Sequence, residues 1–472
     1  MDRPVHLRPR RRLLPNVLGL MLVAGLGAAW VGYTARTLGV PARQVLRQPW
    51  RAAQLSLGIN PAPKALRVPP VQPLSAMAQL GRALFYDRAL SASGRMSCVS
   101  CHDPATGYGP PPGSGAVMLG GPTLRTPGLR APPSLTYLYR RMPFSIGPDN
   151  EQNEITLAAQ LLHAAGSHPR AVKTAADPAA ASTNLVPQGG LFWDGRVDSL
   201  QAQADGPLFN PAEMDAGTPQ RVTAILRRSP LAPQFRQLFG ARIFDDAQRT
   251  VSEALFAIAR YQIEDPSFHA FNSKYDAWLQ GKARLSRQEI RGYLAFIDPR
   301  RGNCAACHLA APSRDGLPPL FTDAQYEALG VPRNAAIPAN RDPAFHDLGL
   351  CGPVRQDLRS QQRYCGMFLT PTLRNVARRP VFFHNGVYHD LRQVLDFYAL
   401  RDSAPQRVYP RDAHGRVLRF DDLPAADRGN VDTVDAPFGR ASGAAPAISA
   451  RDRRAIIAFL RTLNDGWRAP PP

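Results

Sequence analysis

The sequence of 472 residues predicts a mainly α-helical protein, in which two units of similar plan follow an N-terminal transmembrane helix. Three observations lead to this fold class. The pattern Cys-x-x-Cys-His occurs twice, and each copy follows a segment whose apolar residues have helical spacing. A long uncharged segment follows a basic N-terminus. No run of alternating polar and apolar residues is long enough for a substantial sheet.

The first part of the chain is predicted to be a membrane anchor. Residues 13–33 carry no charge, and about twenty such residues suffice to cross a hydrocarbon layer as a helix. The arginines among residues 1–12 favour a cytoplasmic location for that end, so the rest of the chain would lie in the bacterial periplasm. A cleaved signal peptide is the alternative, but no clear Ala-x-Ala site closes the apolar run. We therefore expect a periplasmic body tethered to the inner membrane.

The remaining chain is predicted to form two mostly helical units. The segment LSAMAQLGRALFYD has apolar residues at helical spacing, and Ser75 is placed to cap it. In the segment LSRQEIRGYLAFID, Ser286 and Glu289 have capping-box spacing. Helices are also predicted at ITLAAQLLHAA, 155–165, and in the closing segment SARDRRAIIAFLRTLND. The predicted organisation is an anchor at 1–36, a proline-rich linker at 37–73, a first unit at 74–240 and a second unit at 241–466.

The distribution of charge and the cysteine content reduce the number of function classes that fit the sequence. The net charge is +20, but the arginines are dispersed among prolines instead of clustered with aromatic residues, which argues against nucleic-acid binding. Of the six cysteines, four belong to the repeated pattern. The other two, Cys351 and Cys365, can form a structural disulfide in an oxidising compartment.

The repeated pattern is typical of covalent c-type haem attachment, in which two thiols bond the vinyl groups and the adjacent histidine binds the iron. A thioredoxin-like redox pair would need a βαβ unit, and neither copy lies in one. A zinc site would join cysteine pairs too distant in sequence for a zinc ribbon. The pattern therefore predicts two covalent haems, one held by Cys98, Cys101 and His102 and the other by Cys304, Cys307 and His308.

The opposite face of each iron decides between electron transfer and peroxide chemistry. No histidine lies between His102 and His163, and a loop methionine such as Met118 more often packs than binds metal. We therefore expect an open, peroxide-reactive first haem. For the second haem, spacing alone does not choose among the candidates Met367, His384, His389 and Tyr398.

Several longer motifs resemble the superfamily of dihaem cytochrome c peroxidases and MauG. They are LGRALFYDRALSASGRMSCVSCHDPATGY, LFWDGRVDSLQAQADGPLFNPAEM, GNCAACH and TPTLRNVARRPVFFHNGVYHDLRQVLDFYALRD, and the resemblance covers about 75–465. It implies two cytochrome c-like domains, each with one covalent c-type haem. The first haem would react with hydrogen peroxide, and the second would transfer electrons.

The resemblance also implies residue roles. Trp193 matches the tryptophan that relays electrons between the haems, and Gln203 and Glu213 match residues of the peroxide pocket. Pro207 matches a proline packed at that pocket. A carboxyl group such as that of Glu213 can carry the proton that O–O cleavage requires, and the glutamine can orient the peroxide.

Tyr398 favours the MauG-like branch. At this position peroxidases of the superfamily have a methionine ligand, whereas MauG-like members have a tyrosine, whose hard anionic oxygen favours high-valent iron. The implied activity is oxidation of a protein residue or other electron donor. The alternative is a cytochrome c peroxidase that reduces hydrogen peroxide with electrons from a small cytochrome or cupredoxin. A non-catalytic electron carrier is the third hypothesis.

Two positions depart from the family pattern. The second tryptophan between the haems of MauG is replaced by Gly302. The asparagine that helps to bind an interdomain calcium ion is replaced by Ala131 after Arg130, which leaves backbone carbonyls near Arg379 and Val381 as calcium ligands. His384 matches a family landmark without a role that its chemistry suggests.

Overall fold

The computed structural model describes residues 14–148, 185–314 and 316–469. The predicted helix at 155–165 and the basic residues 1–12 lie outside this part of the chain. The described α-helices are α1 Leu14–Leu38, α2 Ala42–Arg47, α3 Pro49–Ser56, α4 Ala76–Tyr86, α5 Leu200–Phe209, α6 Pro219–Arg228, α7 Ala232–Phe239, α8 Ala247–Glu264, α9 Lys274–Leu279, α10 Arg287–Ile297, α11 Leu391–Leu400 and α12 Ala450–Arg461.

The strands of the described chain form small antiparallel pairs. These are β1 Leu119–Gly120 with β2 Thr126–Pro127, β3 Ser145–Pro148 with β4 Leu185–Gln188, and β5 Tyr326–Glu327 with β6 Phe368–Leu369. A bridge between Gln188 and Gln325 connects β4 to the segment that leads into β5. The described fold is therefore mainly helical, as predicted.

Local sequence explains where the helices begin. Ser75 accepts a hydrogen bond from the Ala78 amide at the start of α4. Ser286 and Glu289 form the predicted capping box at the start of α10. Ser449 caps α12 in the same way that Ser75 caps α4. The capping predictions are confirmed.

The first hydrophobic core lies between α4, α5, α6 and α8. Its buried side chains run from Leu80 on α4 to Phe268, which follows α8 and stacks on Tyr108 with ring centroids 3.8 Å apart. Helix α8 therefore packs within the first unit, although the predicted boundary at 240 assigns it to the second. The physical reason is that Gly81 of α4 approaches the backbone of α8 at Ala257, where a side chain would not fit. We propose that the boundary follows Phe268.

The second core lies between α9, α10, α11 and α12. It also includes Val45 of α2 and Ala52 of α3, both of them buried. The structure here differs from the simple linker predicted at 37–73. The segment is fastened to α9, because the Trp278 indole donates to the Gly58 carbonyl at 3.0 Å and the Asn60 amide donates to the Trp278 carbonyl at 3.1 Å.

A third, smaller core surrounds a disulfide between Cys351 and Cys365, as expected. At the N-terminus, α1 (Leu14–Leu38) covers most of the predicted apolar segment at 13–33. Within the described residues, no helix combines the length and apolar character needed to cross a membrane.

Candidate haem-binding site

The two predicted iron ligands have the same local geometry. Each Cys-x-x-Cys-His segment forms a short 3-10 turn, Cys98–Ser100 in one case and Cys304–Ala306 in the other. The Nδ1 of His102 donates to the carbonyl of Tyr108 at 3.0 Å, and that of His308 donates to the carbonyl of Phe321 at 2.9 Å. Both acceptor residues have a φ of 54°. These bonds fix the orientation of each imidazole, as in histidines that bind a metal through the other ring nitrogen.

Burial shifts the protonation equilibria of the motif cysteines and of His102. Burial raises the pKa of the thiols of Cys98, Cys101 and Cys304 to about 12. Burial lowers the pKa of His102 to about 4, although its hydrogen bond to the Tyr108 carbonyl acts in the opposite direction. The ring is therefore neutral at pH 7, which is the form that binds metal. None of the four motif cysteines forms a disulfide within the described chain.

A large cavity connects the second motif with the first unit. The space inside it that a water molecule can reach is about 220 Å³, and the cavity is partly open to solvent. Cys304, Cys307, His308 and Tyr398 line it from the second unit, and Trp193 and Gln203 line it from the first. Most of the remaining wall is apolar. A macrocycle with apolar faces fits this lining.

Two arginines with buried donor atoms indicate what else the cavity accepts. The Nη1 of Arg141 and the Nε of Arg379 are buried without a hydrogen-bond partner, and both residues line the cavity. Burial lowers the pKa of Arg379 to about 10, and no described carboxylate offsets that shift. Unpaired buried donors are costly, so these sites favour an anionic ligand. The carboxylates of haem propionates would satisfy them.

Trp193 is held by both units. Its indole nitrogen donates to the carbonyl of Ala131 at 2.7 Å, while its own carbonyl accepts from the amide of Leu369 in β6 at 2.9 Å. The next residue, Asp194, is fully buried and bonds Arg130 at 2.7 Å. The structure therefore places the predicted relay tryptophan at the wall of the cavity with its backbone fixed on both sides.

Arg130 extends this arrangement across the molecule. It bonds Asp347 through Nε at 2.6 Å and Nη2 at 2.7 Å. Burial alone would raise the pKa of Asp347, but the charge and hydrogen bonds of Arg130 lower it below the ordinary value. Arg130 thus links the segment of Trp193 to a carboxylate some two hundred residues further along the chain.

Glu213 lies beside the first motif. It follows α5 in a loop, and the Asn210 side chain donates to its Oε1 at 2.6 Å. Burial raises the pKa of Glu213, although Asn210 and Arg196 act in the opposite direction. Its carboxylate is close enough to Cys101 to contribute to the raised pKa of that thiol. Gln203 is buried on α5 and lines the cavity, whereas Pro207 lies inside the same helix.

The structure separates the four candidates for the second iron. Tyr398 and His384 line the cavity, whereas Met367 packs near the disulfide and His389 is exposed. His384 stacks on Phe368 with ring centroids 3.5 Å apart, and its Nε2 lies 3.4 Å from Asp422. Tyr398 stacks on Phe438 inside the cavity, and burial raises the pKa of its phenol far above 10. Without a cation beside it, this phenol stays protonated.

Sequence reasoning missed the arginines that shape the site. Arg141 lies outside the quoted motifs, and the sequence connects Arg130 and Arg379 only with a calcium pattern. Their side chains become distinctive only through burial and contacts between distant segments. In the described part of the chain, no group of three or more His, Cys, Asp or Glu side chains is placed to hold a metal ion.

Comparison with known proteins identifies relatives over most of the chain. The family profile described as di-haem cytochrome c peroxidase matches residues 75–284. The methylamine utilization protein MauG of Paracoccus denitrificans is 33% identical over 329 residues, which cover 68% of this chain and 74% of that protein. The cytochrome c551 peroxidase of Nitrosomonas europaea is 27% identical over 361 residues, covering 74% and 82%. The crystal structure of the diheme peroxidase BthA from Burkholderia thailandensis superposes with a TM-score of 0.70 at 34% identity, covering 87% and 92%.

Proposed function

The chain belongs to the family of di-haem cytochrome c peroxidases and MauG, and from this premise we propose that it is a MauG-like enzyme that oxidises a protein residue. Membership makes it a haem oxidoreductase that reacts with hydrogen peroxide. The basic N-terminus, the apolar segment that follows it and the disulfide support a periplasmic body held at the inner membrane by residues 1–36.

Two covalent haems are part of this proposal. Cys98, Cys101 and His102 would hold one, and Cys304, Cys307 and His308 would hold the other. The matching histidine geometry supports this assignment, because both imidazoles donate through Nδ1 to a backbone carbonyl, which is how metal-binding histidines are commonly oriented. When bound, the haem pair supplies the redox chemistry with peroxide. Arg141 and Arg379 would bind propionates through donors that have no other partner.

The residues of the first unit would manage the proton of the reaction. The Oε atoms of Glu213 are buried near Cys101, so a proton held there stays available at a higher pH than on an ordinary glutamate. The Asn210 amide fixes the orientation of that carboxyl group. The Gln203 amide would orient the peroxide, and Trp193 would conduct electrons between the two haem sites.

Calcium is not part of the proposal. The expected ligands were carbonyls near Arg379 and Val381. The guanidinium of Arg379 is buried in the same segment, and its charge would repel a divalent cation bound nearby.

One observation carries the choice of the MauG-like branch. Tyr398 lies in the cavity of the second motif, whereas Met367 packs outside it. A phenolate ligand favours the oxidised metal, while a thioether favours the reduced one. We therefore propose that Tyr398 would bind the iron of the second haem and that a protein side chain is the final electron donor.

Stopped-flow kinetics with peroxide and a reduced small cytochrome test the proposal. The parent should oxidise the cytochrome slowly, and the variant Tyr398→Met should do so faster. The matched variant Tyr398→Phe removes the phenol oxygen without adding a sulfur ligand, so it should remain slow. Fast cytochrome turnover by the parent, at rates typical of enzymes, would favour the peroxidase alternative.

A further inference from the structure

An arginine-lined pocket lies where α1 meets the second unit, and its lining shares no residue with the haem cavity. We define this arginine pocket by Tyr33 and Thr37 of α1, Arg287 and Arg291 of α10, and Arg451 and Arg454 of α12. The guanidinium of Arg287 lies 5.6 Å from the centre of the Tyr33 ring. That of Arg291 donates to the Arg36 carbonyl at 3.1 Å. The last turns of α1 therefore form one wall of the pocket.

The positive charge in this pocket is only partly balanced. Asp452 is bonded by Arg291 at 2.8 Å and by Arg301 at 2.6 Å. The other carboxylates of α10 and of neighbouring α11 are engaged elsewhere, since Glu289 pairs with Lys274 and Asp396 with Arg453. Among the described residues, no carboxylate forms an ion pair with Arg287, Arg451 or Arg454. These three guanidinium groups are exposed and repel one another.

Helix polarity adds to this charge. Arg287 is the first residue of α10, and Arg451 is the second residue of α12. The N-terminus of a helix carries a partial positive charge, so arginines there destabilise the helix unless an anion is present. Two helix starts and their arginines face the same pocket. The arrangement is unfavourable in the free protein and becomes favourable when an anion binds in the pocket.

The chemistry of the arginines identifies the anion. A guanidinium group matches phosphate oxygens with two parallel hydrogen bonds and loses little hydration on pairing. Several guanidinium groups around one concave site fit a phosphate group better than a single carboxylate. Free phosphate and a phospholipid headgroup share this chemistry, and the surroundings of the pocket distinguish them.

Exposed apolar side chains lie on α1, which lines the pocket, and on α2 and α3, which pack against α1. Leu26 is 65% exposed and Trp50 is 75% exposed, while Trp30, Tyr33 and Leu46 are also exposed. Tryptophan and tyrosine concentrate where a membrane meets water, and arginines beside them attract anionic lipids. We propose that the arginine pocket binds the phosphate of an anionic phospholipid and thereby fixes the orientation of the second unit on the membrane surface.

Hydrogen exchange of the haem-loaded full chain tests this proposal. The chain is reconstituted into nanodiscs of phosphatidylcholine, with or without one quarter phosphatidylglycerol. An arginine near an anionic surface contributes about a fivefold gain in affinity. We therefore expect amides at 287–291 and 450–455 to exchange at least about fivefold more slowly in the anionic discs. This protection should disappear in the variant R287Q/R451Q/R454Q.

A matched variant controls for charge. R228Q/R242Q/R249Q removes three exposed arginines from the first unit and should keep the protection. The haem absorption spectrum shows whether each variant is folded. Equal exchange in the two lipids, or protection that survives in R287Q/R451Q/R454Q, would contradict the proposal. Protection by inorganic phosphate in detergent, with no effect of the anionic lipid, would also overturn the lipid assignment.

Discussion

Arg130 joins two buried carboxylates beside Trp193, so its replacement tests how the two units are held together. Its side chain is 9% exposed, and its partners Asp194 and Asp347 are 0% and 9% exposed. The variant Arg130→Met leaves Asp194 with Arg196 at 2.8 Å, but it removes two hydrogen bonds from Asp347. Removing one partner of a buried ion pair costs about 3–5 kcal/mol. We expect a loss of about 3 kcal/mol, since only one carboxylate becomes unpaired.

The loss should also depend on pH. In the parent, Arg130 holds the pKa of Asp347 below its ordinary value despite burial, so that contribution to stability disappears only in strong acid. In Arg130→Met, burial is opposed only by His384 and the Gly349 amide, which are smaller influences, so we expect the pKa of Asp347 to rise above its unfolded value. Asp347 of the folded variant then binds a proton at mildly acidic pH, which removes the cost of burying an unpaired charge. As pH rises through the raised pKa, the proton is lost and the folded variant becomes less stable. The difference in free energy of unfolding should be larger at pH 8 than at pH 5.

Urea unfolding followed by circular dichroism at both pH values measures this difference. Arg196→Met is the matched control, because Arg196 bonds the same Asp194 but is 26% exposed. We expect that control to lose less than about 1 kcal/mol. The reasoning is refuted if the two variants are equally stable, or if the loss in Arg130→Met is the same at pH 5 and pH 8.

Three further predictions concern the haem sites. Glu213→Gln should slow the reaction with peroxide by about 10²–10⁴-fold in stopped-flow traces. In Asn210→Ala, the rate should change at a higher pH than in the parent, because Asn210 lowers the pKa of Glu213. An unchanged pH profile would exclude Glu213 as the proton carrier. Arg379→Met should lower the reduction potential of at least one haem in a redox titration, since it removes a buried positive charge, whereas the exposed neighbour Arg378→Met should not. Removal of calcium with a chelator should leave the absorption spectrum and peroxide kinetics unchanged; a loss restored by added calcium would contradict the role assigned to the Arg379 charge.

Local features of the fold could be predicted from the sequence. The helix starts at Ser75 and Ser286 follow from capping rules that involve residues three positions apart. The linker prediction at 37–73 did not include the short helices α2 and α3, because proline-rich composition conceals them. Val45 and Ala52 are stabilised by the second core, which composition does not reveal. The boundary predicted at 240 also depends on tertiary contacts that the sequence pattern does not reveal, since α8 belongs to the first core through contacts with α4.

Some residues of the candidate site could likewise be predicted from the sequence, and others could not. The cysteines and histidines are recognisable because their chemistry depends on five consecutive residues. Spacing could not choose between Met367 and Tyr398, and the resemblance to relatives favoured the tyrosine that the structure finds in the cavity. The sequence does not reveal the roles of the Arg130 and Arg379 side chains, because these arise from burial and from partners far away in the chain.

The electron paramagnetic resonance spectrum of the ferric, haem-loaded protein tests the central claim most directly. The parent is compared with Tyr398→Met before and after stoichiometric hydrogen peroxide. We predict one high-spin and one low-spin signal, and peroxide should abolish both in the parent but not in the variant. Two low-spin signals that do not respond to peroxide would mean an electron carrier and would contradict the assignment of a peroxide-reactive, MauG-like enzyme.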